Sequence, residues 1–164
     1  MEPTELAQLY RNHAPALRLF ARQWGHGADD VVQMAFVRLA RQNPVPEHVL
    51  PWLYRVARNE ALTLNRAAVR RRQREERVSS GEAWFSKAED QLDSDEAIRV
   101  LASLPLEYRE VIVARLWGGL TFEQIAQLAG CSLPTAHRRY RTGLEELRMK
   151  LEGQGPCKRT TPMS

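Results

Sequence analysis

The residues best suited to chemistry in this sequence lie in a basic, polar stretch near its carboxyl end. Its side chains present hydrogen-bond donors and acceptors that fit base edges and phosphate oxygens: Thr135, His137, Arg138, Arg139, Arg141 and Thr142. An arginine fork matches guanine O6 and N7 in the major groove, where the first turns of a recognition helix lie. We therefore predict a DNA-reading helix; the alternative is a helical hairpin with a solvated basic face.

Arg138 and Arg141 are three residues apart, so they are neighbours on one helix face and are the expected base readers. Arg139 lies one step round the helix from them. We expect it to contact phosphate, or else to pair with Glu145 or Glu146 on its own helix.

A second concentration of basic residues lies between positions 51 and 78, where eight arginines accompany three glutamates. Aromatic, amide and hydroxyl side chains are interleaved with these arginines, notably Trp52, Asn59 and Thr63. This combination suits a nucleic acid whose bases have left the stack. The alternative is a charged amphipathic helix whose Trp52 belongs to the core.

A third polar pattern occupies residues 29–41. Asp30, Gln33 and Arg41 lie off the apolar stripe formed by Val32, Phe36 and their helical neighbours. Such side chains fit either a protein-docking surface or an ordinary solvated helix face.

Catalytic and metal-binding patterns are not found in the sequence. The four histidines are scattered, and Ser132 and His137 are close in sequence but have no acid placed to orient the base. Cys131 and Cys157 form no C-x-x-C pair, and the carboxylates show no metal-binding cluster. We therefore expect no enzyme activity, no metal and no cofactor.

The elements that must position these residues are helical almost throughout. Apolar residues recur at three- and four-residue steps from Leu6 to Trp24, although Pro15 is expected to kink or split that helix. A second helix is predicted over about 29–42 with Asp29 as its N-cap, then a proline-containing loop at 43–50. A long helix should begin near Pro51.

The carboxy-terminal part shows a helix-turn-helix pattern. Pro105 is expected to start a helix that Gly118 and Gly119 end. Thr121 and Gln124 fit a capping box, and a tight turn containing Gly130 separates the short helix from the last one. No alternation typical of strands is found, so an all-α fold is predicted.

The organisation predicted from these elements is two small helical lobes joined by a flexible acidic linker. The lobes span residues 1–77 and 94–152, the linker 78–93, and a disordered tail 153–164; residues 79–96 carry a net charge of −5. Each lobe is small enough to be marginally stable alone, so partners are expected to stabilise both.

Composition and the apolar pattern argue against a membrane-spanning or secreted protein. The chain has 164 residues and a formal charge of +4, with 21 of its 24 basic residues being arginine. No apolar stretch approaches the ~18 residues of a membrane helix, and the first residues form no signal peptide. A cytoplasmic protein is the expectation.

The combination of motifs closely resembles the extracytoplasmic-function sigma factors of bacterial RNA polymerase. ADDVVQMAFVRLAR (28–41) is similar to that family's A-E-D-x-x-Q-x-x-F-x-R helix, and PWLYRVARNEALTLNRAAVRRRQRE (51–75) to its W-L-x-x-I-A-x-N helix. Residues 104–151 resemble its carboxy-terminal helix-turn-helix. The chain departs from the pattern at Asp29, Ala136 and Arg138, where the family has Glu, Val and a small residue.

The resemblance implies that the chain binds core RNA polymerase and promoter DNA and helps to melt the DNA, without catalysis of its own. Residues implied for polymerase docking are Asp30, Gln33, Phe36 and Arg41. Those implied for the −10 element are Trp52, Arg55, Asn59, Thr63, Arg66 and Arg70, with the loop 43–50 accepting a flipped base. Those implied for the −35 element are Thr135, His137, Arg138, Arg139, Arg141 and Thr142.

The resemblance also implies an anti-sigma factor, often membrane-bound, and a monomer when free or a 1:1 complex with its partner. Two alternatives remain open at this point. One is a helix-turn-helix regulator that binds DNA without polymerase, against which the amino-terminal pattern argues. The other is a nucleic-acid enzyme, against which the lack of clustered carboxylates argues.

Overall fold

A computed structural model describes residues 1–76 and 96–153, and these form seven α-helices and no strand. The amino-terminal lobe contains α1 (Pro3–Arg22), α2 (Ala28–Ala40) and α3 (Val49–Glu76). The carboxy-terminal lobe contains α4 (Glu96–Ala102), α5 (Leu106–Leu116), α6 (Phe122–Ala129) and α7 (Leu133–Gly153). The all-α prediction is confirmed.

The predicted linker 78–93 and the tail beyond residue 153 lie outside the described residues. None of the described helices is both long and apolar enough to span a bilayer.

Helix α1 is continuous, so the predicted split at Pro15 is wrong. Proline removes one hydrogen bond and clashes with the preceding turn, at a cost of about 3 kcal/mol. Ala14, Leu17 and Phe20 are buried on either side of it, and a buried leucine or phenylalanine each contributes about 1.5–3 kcal/mol. Pro15 itself is exposed. The packed face therefore holds the helix together across the proline.

The start of α2 also differs from the prediction, because its N-cap is Gly27 and not Asp29. Gly27 has φ +88°, a left-handed conformation that side-chain-bearing residues rarely adopt. Asp29 lies two residues later, within the first turn, and pairs with Arg18 of α1. Asp29 and Asp30 thus place negative charge in the first turn, where the helix dipole stabilises it.

The helix-turn-helix of α6 and α7 is confirmed. The Thr121 hydroxyl accepts a hydrogen bond from the Gln124 backbone N–H at 3.2 Å, and the Gln124 side chain accepts from the Thr121 N–H at 3.0 Å. Gly130 ends α6 at φ +66°. α5 crosses α7 closely at Gly143, where an added Cβ would lie 2.8 Å from Ile112 Cδ1.

The two lobes pack directly against each other, which the sequence did not predict. The buried apolar residues of both lobes form one continuous cluster. Tyr54 of α3 packs on Gly118, where an added Cβ would lie 2.7 Å from the tyrosine hydroxyl oxygen. Arg109 of α5 donates to the carbonyl oxygen of Gln23 at the end of α1, at 3.4 Å. Both contacts join residues from different lobes.

Candidate nucleic-acid and polymerase interfaces

The first turns of α7 present the polar side chains that the sequence singled out. His137, Arg138 and Arg141 are exposed, whereas Ala136 is fully buried and Tyr140 is half-buried on the opposite side. This is the arrangement that the helical spacing predicted. The exposed side of α7 therefore offers guanidinium and imidazole groups to a ligand.

Two of the remaining three polar residues on α7, Thr135 and Thr142, are more constrained. Thr135 is half-buried, and its hydroxyl lies 2.8 Å from that of Ser132, which also accepts the Thr135 backbone N–H at 3.3 Å. Thr142 is half-buried as well. The Ser132–Thr135 contact closes the first turn of α7 with side-chain hydrogen bonds, as helix N-termini require.

Arg139 pairs with Glu107 of α5 across 3.4 Å. The alternative ion pair with Glu145 or Glu146 on the same helix is therefore not the one formed, and the expected phosphate contact stays a prediction. The reason is tertiary: α5 crosses α7 on the side to which Arg139 points, and the arginine is half-buried there.

His137 stacks on Phe122, the first residue of α6, with ring centroids 3.9 Å apart and planes inclined by 31°. Phe122 also meets Tyr140 edge-on at 5.3 Å, and the Arg115 guanidinium lies 4.8 Å from its ring centre. Sequence reasoning missed Phe122. The available signal was its place directly after the capping residue Thr121, which points it toward the following helix.

One face of α3 carries the second set of polar residues. Arg55, Asn59, Thr63, Arg66 and Arg70 are all exposed, at spacings of three and four residues. The Thr63 hydroxyl donates to the Asn59 carbonyl oxygen at 2.9 Å. The face is thus a continuous strip of arginine, amide and hydroxyl groups.

Trp52 is half-buried at the amino end of this strip. It belongs partly to the core and partly to a crevice of about 280 Å³ between the lobes. The crevice is lined on one side by the 46–48 loop, Pro51, Trp52 and Arg55, and on the other by α6 residues. In this arrangement Gln124, Gln127 and Leu128 of α6 face the amino end of the α3 strip.

Arg58 does not share the exposed strip with the other arginines. Its Nε donates to Glu110 Oε1 of α5 at 2.5 Å, and its guanidinium carbon lies 5.8 Å from the Trp24 ring centre. The side chains of Arg58 and Glu110 are 25% and 6% exposed. Burial raises the pKa of Glu110, and the hydrogen bond and charge of Arg58 oppose that rise.

The sequence pattern grouped Arg58 with the other arginines between positions 51 and 78 as nucleic-acid-binding residues, and it did not point to Glu110. Fifty-two positions separate the two residues, and no local pattern marks a partner at that distance. Since a buried carboxylate without a partner is costly, this pair is a polar contact that ties α3 to α5 across the boundary between the lobes.

The third polar set lies on α2. Asp30, Gln33 and Arg41 are exposed, whereas Phe36 is buried and meets Tyr10 edge-on at 4.9 Å. An open apolar groove of about 490 Å³ runs beside these residues between α1 and α2. Phe36 lines this groove but is only 5% exposed, so little of its surface is available to a partner.

Within residues 1–76 and 96–153, no three His, Cys, Asp or Glu side chains are placed to hold a metal ion together. The geometry of the described sites is that of binding surfaces: two arginine-rich faces and one apolar groove with polar neighbours.

Each of the two lobes matches a family of known proteins. Residues 9–75 match the family model described as Sigma-70 region 2, and residues 94–147 match Sigma-70, region 4. The RNA polymerase sigma factor CarQ of Myxococcus xanthus is 32% identical over 152 residues, covering 85% of each chain. The ECF RNA polymerase sigma factor SigE of Mycolicibacterium smegmatis is 33% identical over 158 residues; the match covers 86% of this chain but 59% of that relative.

Two solved structures share the fold. One is the sigma factor RpoE in complex with the anti-sigma factor NepR from Bartonella quintana, with TM-score 0.71, 25% identity, and coverage of 92% of this chain and 99% of that one. The other is CnrH in complex with the cytosolic domain of CnrY, with TM-score 0.64, 24% identity, and coverage of 93% and 91%.

Proposed function

Because this chain belongs to the extracytoplasmic-function sigma factors and so acts in transcription initiation, we propose a role for each of its exposed faces. The observation that carries the proposal is the match of both sigma regions, in order, onto the two lobes. A helix-turn-helix regulator that works without polymerase is not favoured, because region 2 accounts for residues 9–75.

The carboxy-terminal lobe, 94–152, is proposed to read the −35 element through α7. Arg138 and Arg141 are placed to contact guanine edges, His137 and Thr142 to contribute further polar contacts, and Arg139 to contact phosphate. The exposure of His137, Arg138 and Arg141 at the start of the second helix of a helix-turn-helix supports this assignment.

The amino-terminal lobe, 1–77, is proposed to bind the −10 element and core polymerase. The strip on α3 would receive the melted strand, because exposed arginines and an amide follow a single strand better than a duplex groove. Trp52 and the loop 43–50 would hold an extruded base. Asp30, Gln33, Phe36 and Arg41 would dock on core polymerase.

The packing of the lobes gives a physical reason for polymerase dependence. α6 faces Trp52 and Arg55 across the crevice, so α6 restricts the approach of a DNA strand to the half-buried Trp52 until the lobes separate. Core polymerase would supply the frame that holds the separated lobes at promoter spacing. The free protein is therefore expected to bind promoter DNA weakly.

The proposal extends to partners and location. By analogy with the two complexes above, an inhibitory protein of the anti-sigma class is the expected regulator, in a 1:1 complex with this chain. The chain would work in the cytoplasm as a specificity subunit, with the polymerase performing the chemistry.

Runoff transcription with purified core polymerase tests the function. Addition of this protein should give transcripts that start at a defined distance from matched −35 and −10 sequences. The melting role is tested with the Asn59→Ala variant, which is compared with the unmodified protein on duplex and on premelted templates. A defect on duplex DNA that a premelted bubble does not relieve would contradict the melting role of the α3 strip.

A further inference from the structure

Phe122 links the two helices of the helix-turn-helix through a stack with His137. The ring planes are inclined by 31° and the centroids are 3.9 Å apart, so the imidazole lies over the phenyl ring in a tilted stack. An exposed histidine at the start of a helix normally samples several rotamers. The stack restricts this imidazole to one plane.

The phenyl ring is itself fixed by its surroundings. Its residue follows Thr121, whose capping box sets the first turn of α6. Tyr140 contacts the ring edge-on at 5.3 Å. Arg115 lies over the ring at 4.8 Å, and its guanidinium is anchored by a 2.8 Å hydrogen bond to the carbonyl oxygen of Leu120.

The polar atoms of His137 remain available to a ligand. The His137 side chain is exposed beside Arg138 and Arg141, and it interacts electrostatically with the Glu123 carboxylate of α6. Because stacking uses the face of the ring, both nitrogens stay at its free edge. A neutral imidazole keeps one N–H donor there, and a protonated one keeps two.

We propose that Phe122 is a positioning residue that aims an imidazole N–H of His137 at the N7 atom of a purine in the −35 element. The inference rests on the proposed −35 role of α7. Both purines present the N7 acceptor in the major groove, whereas cytosine presents an amino donor there and thymine presents O4 and a methyl group in place of N7. His137 therefore selects a purine over a pyrimidine at one position of the −35 element. That position lies beside the guanines that Arg138 and Arg141 select.

The expected size of the effect follows from the restriction of the side chain. Immobilising a free side chain on binding reduces affinity by about two- to tenfold. Because the stack orders His137 before DNA binds, its loss should reduce the purine preference by about that factor. Removal of the imidazole itself should abolish the preference at that base pair.

The test uses four variants in transcription by the polymerase holoenzyme on a library of −35 sequences: Phe122→Leu, Phe122→Tyr, His137→Ala and the Phe122→Leu/His137→Ala double variant. Leucine fills the space without a flat ring, and tyrosine keeps the stack. We expect Phe122→Leu to weaken purine selection at one position, Phe122→Tyr to retain it, and the double variant to match His137→Ala at that position.

Leu104→Ala is the matched control, because Leu104 is buried in the same lobe and is not part of the stack. It should lower thermal stability and leave the purine preference unchanged. Nuclear magnetic resonance of the free protein gives a second measurement, since the aromatic ring shifts the His137 imidazole protons. That shift should disappear in Phe122→Leu and remain in Phe122→Tyr, whatever the change in stability.

The outcomes that contradict the proposal separate the positioning role of Phe122 from the −35 role of α7. Relaxed selection in His137→Ala but unchanged selection in Phe122→Leu would overturn the positioning role and leave the −35 role of α7 intact. Equal loss in Phe122→Leu and Leu104→Ala would likewise reduce Phe122 to a packing residue. If the unmodified protein shows no −35 preference at all, the proposed function of α7 fails, and this inference fails with it.

Discussion

Replacing Arg58 with alanine should separate the two lobes, because it leaves Glu110 buried without its partner. The Glu110 side chain is only 6% exposed, and Arg58 Nε lies 2.5 Å from its carboxylate. Removal of one member of a buried ion pair costs about 3–5 kcal/mol. We take the lower figure of about 3 kcal/mol, because Arg58 is one-quarter exposed and the charge on Arg139 also acts on Glu110.

About 3 kcal/mol corresponds to roughly a 100-fold change in the ratio of packed to separated lobes. Two measurements report it: the radius of gyration from small-angle scattering, and binding of a single-stranded oligonucleotide carrying a −10 element. Arg58→Ala should have the larger radius and bind the oligonucleotide more tightly, by up to about 100-fold, since affinity scales with the competent fraction.

Two further variants make the experiment decisive. Glu110→Gln removes the buried charge but keeps a hydrogen-bond acceptor for Arg58, so its lobes should stay together. Arg38→Ala breaks the Arg38–Glu60 pair, which lies within the amino-terminal lobe at 2.6 Å, and should also leave them together. If Arg58→Ala behaves like Arg38→Ala in both measurements, the ion pair does not hold the lobes, and the reasoning is refuted.

The remaining predictions concern single groups. Acidification from about pH 7 to about pH 5 should favour packed lobes, because burial raises the pKa of Glu110 and the packed state then binds its proton more tightly; scattering of Glu110→Gln should lack this dependence. Tyr54→Phe should raise the free energy of unfolding by about 1 kcal/mol, since the tyrosine hydroxyl is buried with no hydrogen-bond partner among the described residues; a lower melting temperature would count against this. Asp30→Ala should weaken competition for core polymerase while changing folding by about 0.5 kcal/mol or less; unchanged competition would remove this residue from the docking surface. Arg138→Ala and Arg141→Ala should each cost about 1–3 kcal/mol of discrimination at one −35 base; uniform loss across a promoter library would assign base reading to other residues.

Local sequence determined the helices and the exposed faces. The Thr121–Gln124 capping box and Gly130 mark the helix-turn-helix by their own backbone chemistry. The three- and four-residue spacing around Ala136 then decides which side of α7 is exposed. These features depend on neighbours within a few positions, so periodicity and capping rules predict them without knowledge of the rest of the chain.

Where the local rules failed, packing was the reason. Pro15 did not break α1, because the buried residues on either side hold the helix together. Asp29 is not the N-cap of α2, because Gly27 adopts the left-handed conformation and leaves Asp29 free to pair with Arg18.

Only the tertiary structure decided which polar groups have partners. Arg58 and Arg55 look alike in the sequence, yet Arg58 is joined to Glu110 and Arg55 lines the crevice. Arg139 pairs with a residue on α5, and His137 stacks on the first residue of α6. The physical reason is that the packing of whole helices and lobes brings these partners together, whereas sequence spacing carries information only about residues one or two turns away.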